Sequence, residues 1–207
     1  MNEITAITPQ TKDKTRCNIF IDGKFYCGLS LETAVKNRLK VGQVIVPRYL
    51  AKLQMECEKQ KALDKALTHV SASRKTEKQV RDFLRKKGYL SIVCDYVIAK
   101  MREYNFLNDA EYAEAYVESV SKKKGGRLIR LELKRKGLEE ADVDTAMETL
   151  DEKTEIETAK KILDKYMRGK DSDRETLYKA FRYLMGKGFA YEIAKSALSA
   201  FGEMDEE

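Results

Sequence analysis

The residue run that most suggests chemistry is Lys122–Arg127 (KKKGGR). Glycine amides in front of a helix can bind phosphate, because the unsatisfied N–H groups and the helix dipole attract anions. The rest of a phosphate-binding loop, GxxxxGK[ST], is missing from the sequence. A lysine cluster that ends one helix and a glycine turn into the next would also explain the run. We favour this structural explanation and keep phosphate binding as the alternative.

Catalytic motifs are absent from the sequence, which contains no GxSxG elbow, no HExxH and no cluster with metal-ligand spacing. His69, the one histidine, lies near the end of a predicted helix, where we interpret it as solvent-facing or capping. Acidic pairs such as Glu139 and Glu140 are common on exposed helices and indicate no catalysis. We therefore predict a protein that is not an enzyme and uses no cofactor or metal.

The cysteines indicate a reducing environment, because none has the CxxC spacing of a zinc or redox motif: Cys17, Cys27, Cys57 and Cys94. No stretch of 18 apolar residues occurs, and the N-terminus lacks the apolar region of a signal peptide. We therefore expect a cytoplasmic protein that contacts no membrane.

The elements that must position any site change in type near residue 50. Both prolines precede residue 48, so nothing in the long remainder interrupts a helix by removing a backbone donor. Before that point, strand-like runs flank an Asp22-Gly23 hairpin turn, Ser30 predicts the cap of a helix over 31–39, and a short strand is predicted at 44–46. Residues 1–49 are predicted to form a small α+β module.

An internal repeat is marked by Gly88, Gly137 and Gly188, which are 49 and 51 residues apart. A leucine stands four residues before each glycine, and an apolar residue follows each one. This pattern is typical of a glycine that ends a helix in the left-handed conformation. Three helix ends are therefore predicted at equivalent places.

The repeat predicts nine helices in three units: near 50–70, 76–87 and 91–104 in unit 50–105; near 108–123, 126–136 and 139–150 in unit 106–151; and near 152–168, 173–187 and 190–201 in unit 152–207, which ends in an acidic tail. Each repeat exposes apolar faces that its neighbours must cover. We therefore predict a mainly α fold, with three tandem three-helix repeats in an elongated curved array after the module that contains the β-hairpin.

Charge is unevenly distributed along the repeats. Residues 74–136 contain 17 lysines and arginines against 9 acids, whereas residues 137–159 contain 1 lysine against 9 acids. Basic triplets precede the first two glycines, and Arg81 recurs as Arg130. We predict a basic stripe that binds DNA phosphates or an anionic protein: Arg81, Arg85, Lys86, Lys122, Lys123, Lys124, Arg127, Arg130, Lys134 and Arg135. Alternatively, these cations only compensate helix dipoles.

The segment 106–117 (FLNDAEYAEAYV), with its continuation 126–138 (GRLIRLELKRKGL), resembles the central segment of the RecX family of regulatory proteins. Residues 74–80 (RKTEKQV) are similar to the first repeat of that family, and residues 181–201 to its third. The resemblance covers about residues 60–202, and the N-terminal hairpin is similar to an extension of some members. One departure is Asn108-Asp109, which stands where the family often has paired acids. Glu111 and Glu114 also stand at positions that are frequently basic.

This resemblance implies a negative modulator of the RecA recombinase, active in DNA repair and the SOS response. Such a protein lies along the groove of the RecA filament on single-stranded DNA and limits filament extension, ATP hydrolysis and strand exchange. The implied partners are the RecA filament and, directly or through RecA, single-stranded DNA, with the protein acting as a monomer. A general DNA-binding or helical adaptor protein without RecA preference is the alternative, and comparing RecA-coated with naked DNA separates the two.

Overall fold

The computed structural model describes residues 2–202, which are mainly helical and begin with a small antiparallel sheet. The strands are β1 (Ile4–Pro9), β2 (Arg16–Ile21) and β3 (Lys24–Ser30). The helices are α1 (Leu31–Lys36), α2 (Pro47–Ser71), α3 (Glu77–Lys86), α4 (Ser91–Glu103), α5 (Asp109–Val120), α6 (Gly126–Arg135), α7 (Glu140–Met147), α8 (Glu152–Met167), α9 (Arg174–Gly186) and α10 (Tyr191–Leu198). The predicted acidic tail, residues 203–207, lies outside the described residues.

The hairpin prediction is confirmed. Strands β2 and β3 pair in antiparallel register from Arg16↔Ser30 to Ile21↔Lys24. Asp22 and Gly23 connect them with φ angles of 47° and 79°. Two positive φ angles give the tight turn that matches the twist of paired strands, which explains the choice of Asp-Gly there.

Two details of the module differ from the prediction. Helix α1 ends at Lys36 rather than 39, because Arg38 turns left-handed at φ 49° and Leu39 folds back to bury its side chain. Residues 44–46 form no strand: a single bridge joins Val44 to Glu3, with Ile45 buried between exposed neighbours. In both cases burial of one apolar side chain overrides the local pattern.

Helix α2 serves two cores. Its first half buries Leu50, Leu53 and Cys57 in one cluster with the sheet residues. Its second half buries Ala62 and Ala66, and α2 contacts α4. The helix begins with Pro47 in its first turn, where the missing N–H costs no hydrogen bond.

Three three-helix repeats follow, as predicted: repeat 1 (α2–α4), repeat 2 (α5–α7) and repeat 3 (α8–α10). In each repeat the first helix contacts the third. The equivalent leucines Leu84, Leu133 and Leu184 are fully buried. The third helices of repeats 2 and 3 end at Met147 and Leu198, about one turn before their predicted ends.

The glycine turns that end α3, α6 and α9 have the predicted conformation. Gly88, Gly137 and Gly188 have φ angles of 85°, 87° and 87°. The N–H group after each glycine donates to the carbonyl of the buried leucine, and for Tyr89 the N···O distance to Leu84 is 3.2 Å. This pattern satisfies carbonyl groups that the helix end leaves free.

The described residues form two compact units. One comprises the chain up to Ser73 together with Val80–Phe106, and the other comprises Arg74–Gln79 together with the chain from Leu107 onwards. The first turn of α3 therefore has its neighbours in repeat 2.

Candidate binding surface

The predicted basic stripe has its residues on two equivalent helices and one turn. Helix α3 carries Arg81, Arg85 and Lys86, and α6 carries Arg127, Arg130, Lys134 and Arg135. Lys122–Lys124 lie in the turn between α5 and α6. Side chains three or four residues apart share a helix face, so Arg81 lies beside Arg85, and Arg130 beside Arg127 and Lys134.

Two arginines of the stripe form equivalent ion pairs. Arg81 contacts Asp95, and Arg130 contacts Asp144; both acids lie in the third helix of the same repeat. Arg130 also lies 3.1 Å from Glu140. The hydrogen bond to Asp144 raises the pKa of Arg130 above its ordinary value. These arginines therefore fasten the second helix of a repeat to the third.

Two lysines of the stripe are also paired within the chain. Lys134 lies 2.7 Å from Glu140, and Lys124 lies 2.6 Å from Glu132. The Tyr116 hydroxyl donates to the same Glu132 carboxylate at 2.6 Å. Burial favours the neutral carboxyl, but the hydrogen bonds from Lys124 and Tyr116 outweigh it and lower the pKa of Glu132. Lys124 thus belongs to a partly buried polar cluster.

The remaining cations of the stripe are exposed and form no ion pair with any residue in the range 2–202. We call this set the unpaired cations: Arg85, Lys86, Lys122, Lys123, Arg127 and Arg135. Charges that are not neutralised within the chain attract anionic partners most strongly. The sequence predicts one stripe of ten cations. In the structure, four of them form ion pairs with acids in the described part of the chain and six do not.

The phosphate-binding alternative for Lys122–Arg127 fails at the backbone amides. Gly126 N donates to the Glu155 carboxylate at 2.8 Å. The neighbouring Gly125 N and Arg127 N donate to the carbonyls of Lys187 and Gly188 at 2.9 and 3.0 Å. These amides already have acceptors, including an anionic one, so the glycines make the turn into α6.

The start of α3 contacts the Gly137 turn in the same way as the start of α6 contacts the Gly188 turn. Thr76 Oγ1 donates to the carbonyl of Lys136 at 2.8 Å, and Glu77 N donates to Asp109 Oδ1 at 3.0 Å. Thr76 stands 12 residues before Gly88, as Gly125 stands 12 before Gly137. The second helix of a repeat therefore begins against the glycine turn of the next repeat. Sequence analysis missed this contact, although the shared spacing was its signal.

The other residues considered for chemistry have structural roles. His69 is partly exposed in the last turn of α2, as expected for a residue near a helix end, and its ring also stacks on Phe83 with centroids 4.1 Å apart. All four cysteines are free and buried. Across residues 2–202, no group of three or more His, Cys, Asp or Glu side chains could hold a metal. No helix in that range is long and apolar enough to span a bilayer.

The three tandem three-helix repeats define the class of this protein: it is a helical-repeat protein. Comparison with protein families matches four domains in order. They are the Regulatory protein RecX N-terminal domain at residues 2–46 and the first, second and third three-helix domains of RecX at residues 62–101, 108–147 and 153–198. The chain belongs to the RecX family of regulatory proteins.

Individual relatives agree with this assignment. The chain is 33% identical to the Regulatory protein RecX of Clostridium tetani over 203 residues, covering 96% of this chain and 94% of that one. It is 30% identical to the Clostridium beijerinckii protein of the same name, covering 99% and 98%. A crystal structure of regulatory protein RecX matches with a TM-score of 0.69 and 26% identity, covering 93% of this chain and 97% of that one. The crystal structure of RecX from Lactobacillus salivarius matches with a TM-score of 0.65 and 27% identity, covering 70% and 96%.

Proposed function

We propose that this protein binds the RecA filament on single-stranded DNA, and that it thereby limits filament extension, ATP hydrolysis and strand exchange. Membership of a family of regulatory proteins supports a regulatory role. The protein acts without turnover, as a monomer in the cytoplasm.

The observation that carries the proposal is the set of unpaired cations. Arg85 and Lys86 lie at the end of α3, and Lys122, Lys123 and Arg127 lie around the start of α6. A filament of protein and DNA presents phosphates and carboxylates to such side chains. Binding several protomers or phosphates at once raises affinity through effective concentration, without any catalytic group.

The test compares two triple variants with the same change in charge. The first reverses three unpaired cations: Lys122→Glu, Lys123→Glu and Arg127→Glu. The control reverses three exposed hairpin-module lysines: Lys12→Glu, Lys14→Glu and Lys24→Glu. We expect the first variant to lose most of its inhibition of RecA ATPase on single-stranded DNA, and the control to retain it.

Salt dependence separates contacts with DNA from contacts with protein. The slope of log K against log salt is negative, and each lost contact to a single-strand phosphate makes it shallower by about 0.7. Binding to naked and to RecA-coated DNA would be measured in parallel. Equal affinity for both would favour a general DNA-binding protein, and unchanged inhibition by the first variant would refute the role of these cations.

A further inference from the structure

The three glycine turns have the same backbone, but only two of them are covered. A Cβ atom added to Gly137 would lie 2.1 Å from Lys78 Cδ, and one added to Gly188 would lie 2.2 Å from Leu128 Cβ. In each case the covering residue belongs to the first turn of the second helix of the preceding repeat. At Gly88, no described residue other than its two chain neighbours comes within 4 Å of the equivalent position.

The covered turns also receive hydrogen bonds at the carbonyl just before the glycine. The carbonyl of Lys136 accepts from Thr76 Oγ1, and that of Lys187 accepts from Gly125 N. The equivalent carbonyl in repeat 1 belongs to Lys87, and no donor among residues 2–202 bonds to it. Repeat 1 thus presents an acceptor that the other two repeats use to hold a helix start.

The charged residues around the Gly88 turn also differ from those around the Gly137 turn. In repeat 2, Lys134 is neutralised by Glu140. The residues at the same distance from the glycine of repeat 1 are Arg85 and Ser91, so the basic residue remains and the acid is missing. A bound partner could supply that negative charge.

Exposed apolar side chains also distinguish the Gly88 turn from the Gly137 turn. Leu90 and Ile92 are 61% and 60% exposed, immediately after the Gly88 turn. Repeat 2 has Glu139 and Ala141 at these two positions. Two large aliphatic side chains beside an uncovered turn are a favourable place to bury apolar area on binding.

We propose that Arg85, Lys86, the Lys87–Gly88 turn, Leu90 and Ile92, together called the Gly88 surface, dock the acidic first turn of a helix in the protein component of the filament. This inference deepens the proposed function and rests on it. The occupant follows from the two covered turns, each of which holds the first turn of a helix. Acidic residues are favoured in such first turns by the helix dipole, so they would meet Arg85 and Lys86.

A polypeptide fits this surface better than DNA. Leu90 and Ile92 have no flat face on which a base could stack, whereas they can bury an apolar side chain of a helix. The Lys87 carbonyl needs a donor, which an N–H group or a hydroxyl of a helix N-terminus provides. Phosphate groups could satisfy the cations but neither of these two features.

The first experiment gives the Gly88 surface the residues of repeat 2. Leu90→Glu with Ile92→Ala introduces the side chains that Glu139 and Ala141 provide at a turn that folds normally. Binding to RecA filaments on single-stranded DNA would be measured for this variant, for the wild-type protein and for the control Glu139→Gln with Ala141→Ser. We expect the Leu90/Ile92 variant to bind at least tenfold more weakly, and the control to bind like the wild type.

A second experiment identifies the occupant. A photo-crosslinking amino acid in place of Ile92 should form a crosslink to an acidic helix start in RecA. A crosslink only to DNA, or only to a second copy of this chain, would overturn the inference. If the wild-type protein binds filaments and the Leu90/Ile92 variant binds equally well, the docking inference fails and the proposed function stands. If the wild-type protein itself does not bind filaments, both fail.

Discussion

The hydroxyl of Thr76 donates a 2.8 Å hydrogen bond to the backbone carbonyl of Lys136, 60 residues further along the chain. The same oxygen accepts from Gln79 N at 3.2 Å, while Gln79 Oε1 accepts from Thr76 N at 3.1 Å. Thr76 is fully buried. One side chain therefore caps α3 and fastens that cap to the glycine turn of repeat 2.

Replacing Thr76 tests this relationship. Thr76→Val keeps the shape but leaves the Lys136 carbonyl and the Gln79 N–H without their partner, which should cost about 1–3 kcal/mol in unfolding free energy. Thr76→Ser retains the hydroxyl and should recover most of that loss. Urea denaturation would measure both, with Thr68→Val as the control at an exposed position. Equal stability of the Val and Ser variants would contradict the role of the hydroxyl.

Alanine at the glycine turns should reveal which turns are covered. Gly88→Ala imposes only the left-handed conformation on a residue with a Cβ, which costs about 1–2 kcal/mol. Gly137→Ala has the same backbone strain and must also displace Lys78, whose Cβ would lie 2.6 Å from the new atom. Its unfolding free energy should therefore fall further. If thermal denaturation showed the same loss of stability for both variants, the observed packing of Lys78 against the turn would be contradicted.

Arg81 and Arg85 lie one turn apart on α3 and should have separable effects. Arg81→Ala removes the partner of Asp95, so a small loss of stability is expected with little change in filament binding. Arg85→Ala removes an unpaired cation, so weaker filament binding is expected without a change in stability. Thermal denaturation and a filament-binding titration on both variants would measure this. Weaker binding by Arg81→Ala alone would reverse our assignment.

Acid should weaken repeat 2 through Glu132. The hydrogen bonds from Lys124 and Tyr116 lower the pKa of Glu132 below its ordinary value of 4.5. The stability from this shift is complete above about pH 4.5 and is lost as the pH falls through the lower folded-state pKa. Glu132→Gln should therefore be less stable than the wild type at neutral pH, and the gap should narrow in acid. A constant gap across that range in urea denaturation would refute the prediction.

The glycine turns could be predicted because their determinants are local. A left-handed glycine after a buried leucine and before an apolar residue needs only a few neighbouring positions, so Gly88, Gly137 and Gly188 identified three helix ends. The hairpin at Asp22-Gly23 is local in the same sense. The strand predicted at 44–46 was wrong because the burial of Ile45, together with one bridge to Glu3, decided that segment.

The division of the basic stripe could not be predicted, because the partners are distant in sequence. Arg130 contacts Asp144, which lies 14 residues away, and Gly126 N contacts Glu155, which lies 29 away. Counting charges along the sequence does not show which cation is paired with which acid. Only the packing of the second helix against the third, and of one repeat against the next, pairs them.

Because the second helix of one repeat begins against the glycine turn of the next repeat, adding or losing a repeat changes these contacts. The unit that recurs in sequence begins with the first helix of a repeat, but residues 74–79 belong to the same compact unit as the chain from Leu107 onwards. A duplicated segment would have to bring both a helix start like that of Thr76 and a glycine turn like that of Gly137, one for each neighbour. A duplicate of repeat 2 would keep both existing junctions and add a third, between its own kind of helix start and its own kind of glycine turn, whereas loss of repeat 2 would put the helix start of Thr76 against the turn of Gly188.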